Sequence, residues 1–160
     1  MSMLIVGVGE LKCSNREEDS LRTFALGSCV GVIAFAPKIK AAALLHLALP
    51  ESKINRELAR REPARFADTG VPLLLELMAQ YGCRPCDMII KLAGGATIKD
   101  QESFFAIGKR NILAVRETLQ YYRLGAAAED VGADYSRTVT VRVSDGAVLL
   151  SSPGRGEWLL

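Results

Sequence analysis

The chain has one histidine, His46, and four cysteines, Cys13, Cys29, Cys83 and Cys86. A thiol beside an imidazole makes a nucleophile with its own base. The pair is expected to become thiolate and imidazolium, with the cysteine pKa depressed, and the same histidine can later protonate a leaving ammonia. Cys29 and His46 are placed for such a pairing. If 30–36 and 41–47 form an antiparallel hairpin around a 37–40 loop, Ala36 faces Ala41, Gly31 faces His46, and Cys29 falls diagonally beside the histidine. Diagonal neighbours on one face are about 7 to 8 Å apart, within reach of an imidazole. Gly31, without a side chain, leaves room for the ring to lean toward the sulfur. A register slip of one residue would place the two groups on opposite faces. Gly27 and Ser28 suit a tight turn that offers the sulfur and backbone N–H groups to a substrate carbonyl oxygen, as acyl transfer requires.

Each feature alone has a commoner reading. A histidine within Ala43-Leu44-Leu45-His46-Leu47-Ala48 is more often a satisfied core side chain, whose burial lowers its pKa. Gly-Ser-Cys is a frequent tripeptide. Cys83-Arg84-Pro85-Cys86 has the spacing of a redox or metal pair, but zinc needs four ligands and only Cys13, Cys29 and His46 remain. The pair also falls where a helix ends, whereas a thioredoxin-type pair opens one. No metal and no cofactor is expected. Gly94-Gly95-Ala96-Thr97 lacks the lysine and hydroxyl of a phosphate loop and reads as a close backbone approach. Gly108-Lys109-Arg110-Asn111 opens a helix, where capping and solvation explain it as well as an anion or an acidic partner.

The elements that must position these residues follow from periodicity. Runs at 3–8, 21–26, 30–35, 41–47 and 88–93 read as strands, and 137–143 with 147–151 as a closing hairpin around Ser144-Asp145-Gly146. Val71, Leu74, Leu75 and Met78 at helical spacing predict a helix over 68–81, with Asp68 or Thr69 as N-cap. Ile112, Val115, Leu119 and Tyr122 predict a second over 108–124. Strands gathered at both ends of the chain, about eight in all, with two main helices, favour an α+β layered sandwich over a doubly wound sheet. At 160 residues, with 49% hydrophobic and 24% charged residues, a single domain over 1–160 is expected.

Charge narrows the partners. The net charge is +2 and basic residues are dispersed, so nucleic acid is not implied. Arg60, Arg61 and Arg65 alternate with Glu57 and Glu62, which reads as a solvated face rather than an anion site. No run is long enough to span a membrane and no secretory start is present; with reduced cysteines, a cytoplasmic location is expected.

Longer motifs go further. Thr23-Phe24-Ala25-Leu26-Gly27-Ser28-Cys29-Val30-Gly31-Val32 and His46-Leu47-Ala48-Leu49-Pro50 resemble the signature of the CheD family of chemoreceptor glutamine deamidases. Phe66-Ala67-Asp68-Thr69, Lys91-Leu92-Ala93-Gly94-Gly95-Ala96 and Ile107-Gly108-Lys109-Arg110-Asn111 follow in the family's order. The resemblance implies a three-layer α/β/β sandwich of the cysteine-hydrolase type and a Cys29–His46 pair oriented by Thr23. It also implies hydrolysis of glutamine side chains in the helical cytoplasmic domain of a chemoreceptor through a Cys29 thioester, with receptor methylesterase activity open to the same acyl-enzyme. Without it, Thr23 is an ordinary strand threonine. The family further implies a CheC-type phosphatase as partner, so a non-catalytic binding module is the alternative, and a thiol redox protein using Cys83 and Cys86 a third. One departure lies at Gly132-Ala133-Asp134-Tyr135-Ser136-Arg137, where the family has a second glycine pair and a Gly-Arg; a loop of different shape is expected there.

Overall fold

The structure, a computed structural model, describes residues 2–98 and 106–160. The described residues form two five-stranded sheets and three α-helices. The first sheet has the order β1 (Met3–Ile5), β3 (Ser20–Leu26), β8 (Arg137–Arg142), β9 (Val148–Ser152), β10 (Gly156–Leu159). The second runs β2 (Leu11–Ser14), β5 (Ala41–Leu47), β4 (Val30–Ala36), β6 (Ile89–Gly94), β7 (Ala126–Val131). Helices α2 (Ala67–Gln80) and α3 (Ile107–Tyr121) cover the outer face of the second sheet, and the short α1 (Arg56–Arg61) lies in the β5–α2 connection.

The second sheet is apolar on both faces because it is the middle layer, and β4 and β5 are buried at every position. Alternation divides their side chains between two cores. Val30, Val32, Ala34, Ala41, Ala43, Leu45 and Leu47 pack under Val71, Leu74, Met78, Val115 and Leu119 of the helices. Ile33, Phe35, Ala42 and Leu44 face Leu21, Val139, Val141 and Leu150 of the first sheet. This is the α/β/β layering that the motifs implied. His46 shares the parity of Ala42 and Leu44, so it points between the sheets.

Ten strands rather than about eight are found among the described residues. The unforeseen ones are short or poor in β-formers. β2 has four residues, β7 is Ala-Ala-Ala-Glu-Asp-Val, and β10 is a four-residue edge. β1 ends at Ile5 because Gly7 to Glu10 turns back, with Gly7 N–H donating to Glu10 Oε1 and Glu10 N–H to Gly7 O. Neither Asp68 nor Thr69 caps α2, whose N-cap is Phe66. Asp68 instead accepts from Ser52 N–H and Oγ, and Thr69 Oγ1 donates to Pro63 O, so both hydroxyl and carboxylate secure the preceding loop. The closing hairpin forms as expected.

Candidate active site

β4 and β5 pair in the register read from sequence, Ala36 with Ala41 and Gly31 with His46. Gly31 does not serve the imidazole as expected. A Cβ there would meet Leu26 Cδ1 at 3.1 Å, then Ala93 O and Leu44 Cδ1, so its missing side chain admits Leu26. The histidine's environment comes from the other sheet. Thr23 of β3 is fully buried and its Oγ1 lies 2.7 Å from His46 Nδ1 and 2.6 Å from Val6 O.

The tautomer follows. A threonine hydroxyl has one proton, and a carbonyl can only accept, so that proton goes to Val6 O and Thr23 Oγ1 must accept from Nδ1–H. The neutral ring therefore carries its lone pair on Nε2. This atom is buried without a hydrogen-bond partner among the described residues. A buried acceptor so left is costly.

The nucleophile candidate is delivered by an irregular strand end. β3 slips register against β8 between Thr23 and Leu26, with Ala25 at φ 49° and its N–H donating to Thr138 Oγ1. Such bulges re-aim a chain beside functional sites. Here it lets Thr23 stay in the core while 27–29 turns out toward β4. Gly94, φ 107°, lies so close under this turn that a Cβ would collide with Cys29 O. Gly95 N–H donates to Cys29 O and Ala96 N–H to Gly27 O, each at 2.8 Å. The glycine pair is thus the close backbone approach expected. Among the described residues the Ser28 N–H donates to no backbone acceptor, while the Cys29 N–H is turned to its own sulfur. A cavity of about 100 Å³ lined by Ser28, Ala96, Thr97, Ile98, Ala106, Ile107 and Gly108 opens beside it.

Both candidate groups favour their neutral forms. Burial pushes the Cys29 thiol up, with the Arg65 charge pulling it partly back. Burial and then the same charge hold His46 down at about 4. A resting thiolate–imidazolium pair, expected from the residue types, is therefore not what this environment stabilises; burial without a carboxylate partner reverses it.

The chain carries a matching signature at family level: the model described as CheD chemotactic sensory transduction matches residues 48–152. This chain belongs to the CheD family. It is similar over 99% of both chains, at 48% identity, to a probable chemoreceptor glutamine deamidase CheD of Syntrophotalea carbinolica. It is 39% identical to a probable chemoreceptor glutamine deamidase CheD of Syntrophus aciditrophicus, over 96% of each chain. It is 38% identical to one of Anaeromyxobacter dehalogenans, over 95% of this chain and 96% of the relative. The family model starts at residue 48, beyond Cys29 and His46, whereas the alignment with the first relative spans 160 residues.

Within this CheD chain the other motifs resolve into supports. Gly108 packs α3 against Gly95 O and Ala96 O. Asn111, fully buried, donates from Nδ2 to Ser28 O at 2.9 Å and to Ala48 O at 3.0 Å, tying the turn before Cys29 to the segment after His46. Sequence reasoning missed this, although an asparagine on the Gly108–Ile112–Val115 stripe signals a buried polar contact. It also missed Arg137, which is 1% exposed, pairs with Asp130 at 2.8 Å and donates to Gly132 O. Asp130 in turn accepts from Trp158 Nε1, and the guanidinium groups of Arg137 and Arg155 each lie over the Tyr135 ring. These contacts hold the 132–137 segment against β7 and β10. Cys83 is buried and Cys86 exposed, both free, and Cys13 Sγ contacts Met78 Sδ. Burial pushes the Cys13 thiol up to about 12.

Proposed function

We propose that the chain deamidates glutamine side chains in the helical cytoplasmic domain of a chemoreceptor, with Cys29 as nucleophile, His46 as base and Thr23 orienting the ring. The observation that carries the chemical reading is the Thr23–His46 hydrogen bond. It fixes the tautomer that leaves Nε2 open, in a chain whose relatives are named as deamidases.

The steps use this chain's own groups. Cys29 Sγ attacks the carboxamide carbon while its proton passes to His46 Nε2, and the former carbonyl oxygen becomes an oxyanion held at the Gly27–Ser28 turn, facing the Ser28 N–H. The C–N bond then breaks, the nitrogen takes the proton from Nε2, and ammonia leaves a thioester. Water adds to that thioester with His46 again accepting a proton, the C–S bond breaks, and the thiol is restored beside a new glutamate. Burial favours the neutral thiol and the neutral imidazole, so in this reading the proton moves in the attack step itself, as general-base catalysis rather than use of a preformed ion pair. A methyl ester enters the same thioester with methanol as leaving group, so receptor methylesterase activity is part of the proposal. Each event adds a negative charge to a helical bundle and can bias its signalling equilibrium. Since receptor glutamines face the cytoplasm, the protein acts there.

A CheC-type phosphatase is the second proposed partner. Tyr121 stands 80% exposed at the end of α3, outside the turn that carries Cys29. Receptor cytoplasmic fragments incubated with wild type and with Cys29→Ala, then mapped by mass spectrometry, test the reading. Glutamine-to-glutamate conversion by wild type alone is expected. Equal conversion by both would overturn the catalytic assignment, and no conversion by either, with phosphatase binding retained, would favour the binding module.

A further inference from the structure

The Arg56–Arg65 segment reads in sequence as a solvated face, and for most of it that holds. Arg65 differs. Its backbone O accepts from Ala48 N–H at 2.8 Å and from Leu49 N–H at 3.0 Å, directly after the strand that carries His46. Its guanidinium lies against Gly9, where a Cβ would meet Nη2 at 3.3 Å. Gly9 N–H in turn donates to His46 O at 2.8 Å. The side chain is 26% exposed and held by Glu62, whose Oε1 accepts from Nε and Nη2. A positive charge is thus clamped on two sides beside the backbone of the base.

We infer that Arg65 is a positioning residue for the proton transfer, its guanidinium fixed between Glu62 and Gly9 beside the backbone of the base. The inference rests on the reading of Cys29 as nucleophile and deepens it. In attack and in thioester hydrolysis, negative charge develops on sulfur and on the substrate oxygen. A fixed cation at the rim stabilises both without itself exchanging a proton, and more effectively in a half-buried site than in water. It also disfavours imidazolium, so the proton is passed on promptly to the leaving ammonia.

Other charges on the surrounding elements do not duplicate it. Glu10, before β2, is engaged by Gly7 N–H, and Arg22 on β3 donates to Thr140 Oγ1. Glu62 is bound to Arg65 itself, and Lys109 and Arg110 stand in the first turn of α3. Arg65 is the cation held against Gly9, whose N–H binds His46 O, and its charge pulls the Cys29 thiol down against burial and holds the imidazole down with it.

The test is the pH profile of Cys29 alkylation by iodoacetamide, read by peptide mass spectrometry, in wild type, Arg65→Gln and Arg65→Lys. Arg65→Gln is expected to move the midpoint upward and slow alkylation about tenfold below it, one unit of midpoint being a factor of ten in thiolate. Arg65→Lys, keeping the charge, is expected within about twofold of wild type by the same relation. The sign separates charge from damage. Opening the site to water would relieve the burial that raises the Cys29 pKa and move the midpoint down. A midpoint that stays or falls in Arg65→Gln, or a lysine variant as slow as the glutamine one, overturns the inference. Should Arg65→Gln not fold, wild type in about 1 M salt, where the screening length is about 3 Å, must show slower alkylation, and salt-independent alkylation overturns it. Deamidation surviving Cys29→Ala would sink the nucleophile reading instead, so the two failures are distinct.

Discussion

Thr23→Val removes one oxygen and almost no volume. That oxygen accepts from His46 Nδ1–H and donates to Val6 O, both inside the protein. The substitution leaves one donor and one acceptor buried without partners, each costing about 1 to 2 kcal/mol, or about 2 to 4 kcal/mol together. For a chain of this size each kcal/mol lowers the melting temperature by about 2 to 4 °C, so a drop of about 5 to 15 °C is expected. The chemical effect is separable from the thermal one. Without Thr23 to accept, Nδ1–H loses its advantage, and a ring carrying its proton on Nε2 cannot take the thiol proton. Loss of orientation worth about 1.4 to 2.8 kcal/mol is a ten- to hundredfold fall in kcat, at about 1.4 kcal/mol per tenfold. This is milder than the near-complete losses expected for Cys29→Ala and His46→Ala. Two-dimensional nitrogen–proton NMR of the imidazole, alongside ammonia release well below the melting temperature, reads both effects. Thr23→Ser should keep the wild-type tautomer. An unchanged tautomer and unchanged rate in Thr23→Val would refute the reasoning.

The histidine also predicts a pH dependence of stability. His46 is held at about 4 in the folded chain, against an ordinary value of 6.5, so the unfolded chain binds the extra proton between those values. Stability is therefore full above about pH 6.5 and falls by up to about 3 kcal/mol as pH drops toward 4. Denaturant melts across that window should show the loss in wild type and much less of it in His46→Gln. Asn111→Leu removes the bonds to Ser28 O and Ala48 O and should lower kcat about tenfold or more, a loss that deamidation assays at fixed folded fraction would reveal. Asp130→Asn leaves the buried Arg137 guanidinium uncompensated and should cost about 3 kcal/mol or more, measured by chemical denaturation. Alkylation mapping should find Cys13 and Cys83 slow, since burial raises both thiols, with exposed Cys86 the competitor of Cys29.

What could be read in sequence was local or periodic. The β4–β5 register follows from two apolar runs and a short loop, and it pairs Gly31 with His46 as read. Both main helices appear from their stripes, within a few residues of α2 and α3. Thr23 was visible only through the family's motif, because nothing local in Thr23-Phe24-Ala25 shows that β3 crosses His46 from the opposite sheet. Arg65 and Asn111 were missed for the same reason: each reaches the site across layers, and contacts between layers leave no periodic trace. Arg137 did leave one. It shares the inward parity of Val139 and Val141, and a charge on the core face of a strand signals a buried pair. The ionisation of the pair was misjudged because residue types name the partners, while the depth of burial decides which forms win.

The central claim is that Cys29 carries the substrate acyl group. Rapid mixing with a glutamine-containing receptor fragment, acid quenching and intact-mass analysis tests it most directly. An adduct equal to the fragment less ammonia, located on Cys29 and absent from Cys29→Ala, is the predicted result. Deamidated fragment accumulating with no adduct, at the same rate in Cys29→Ala as in wild type, would contradict it.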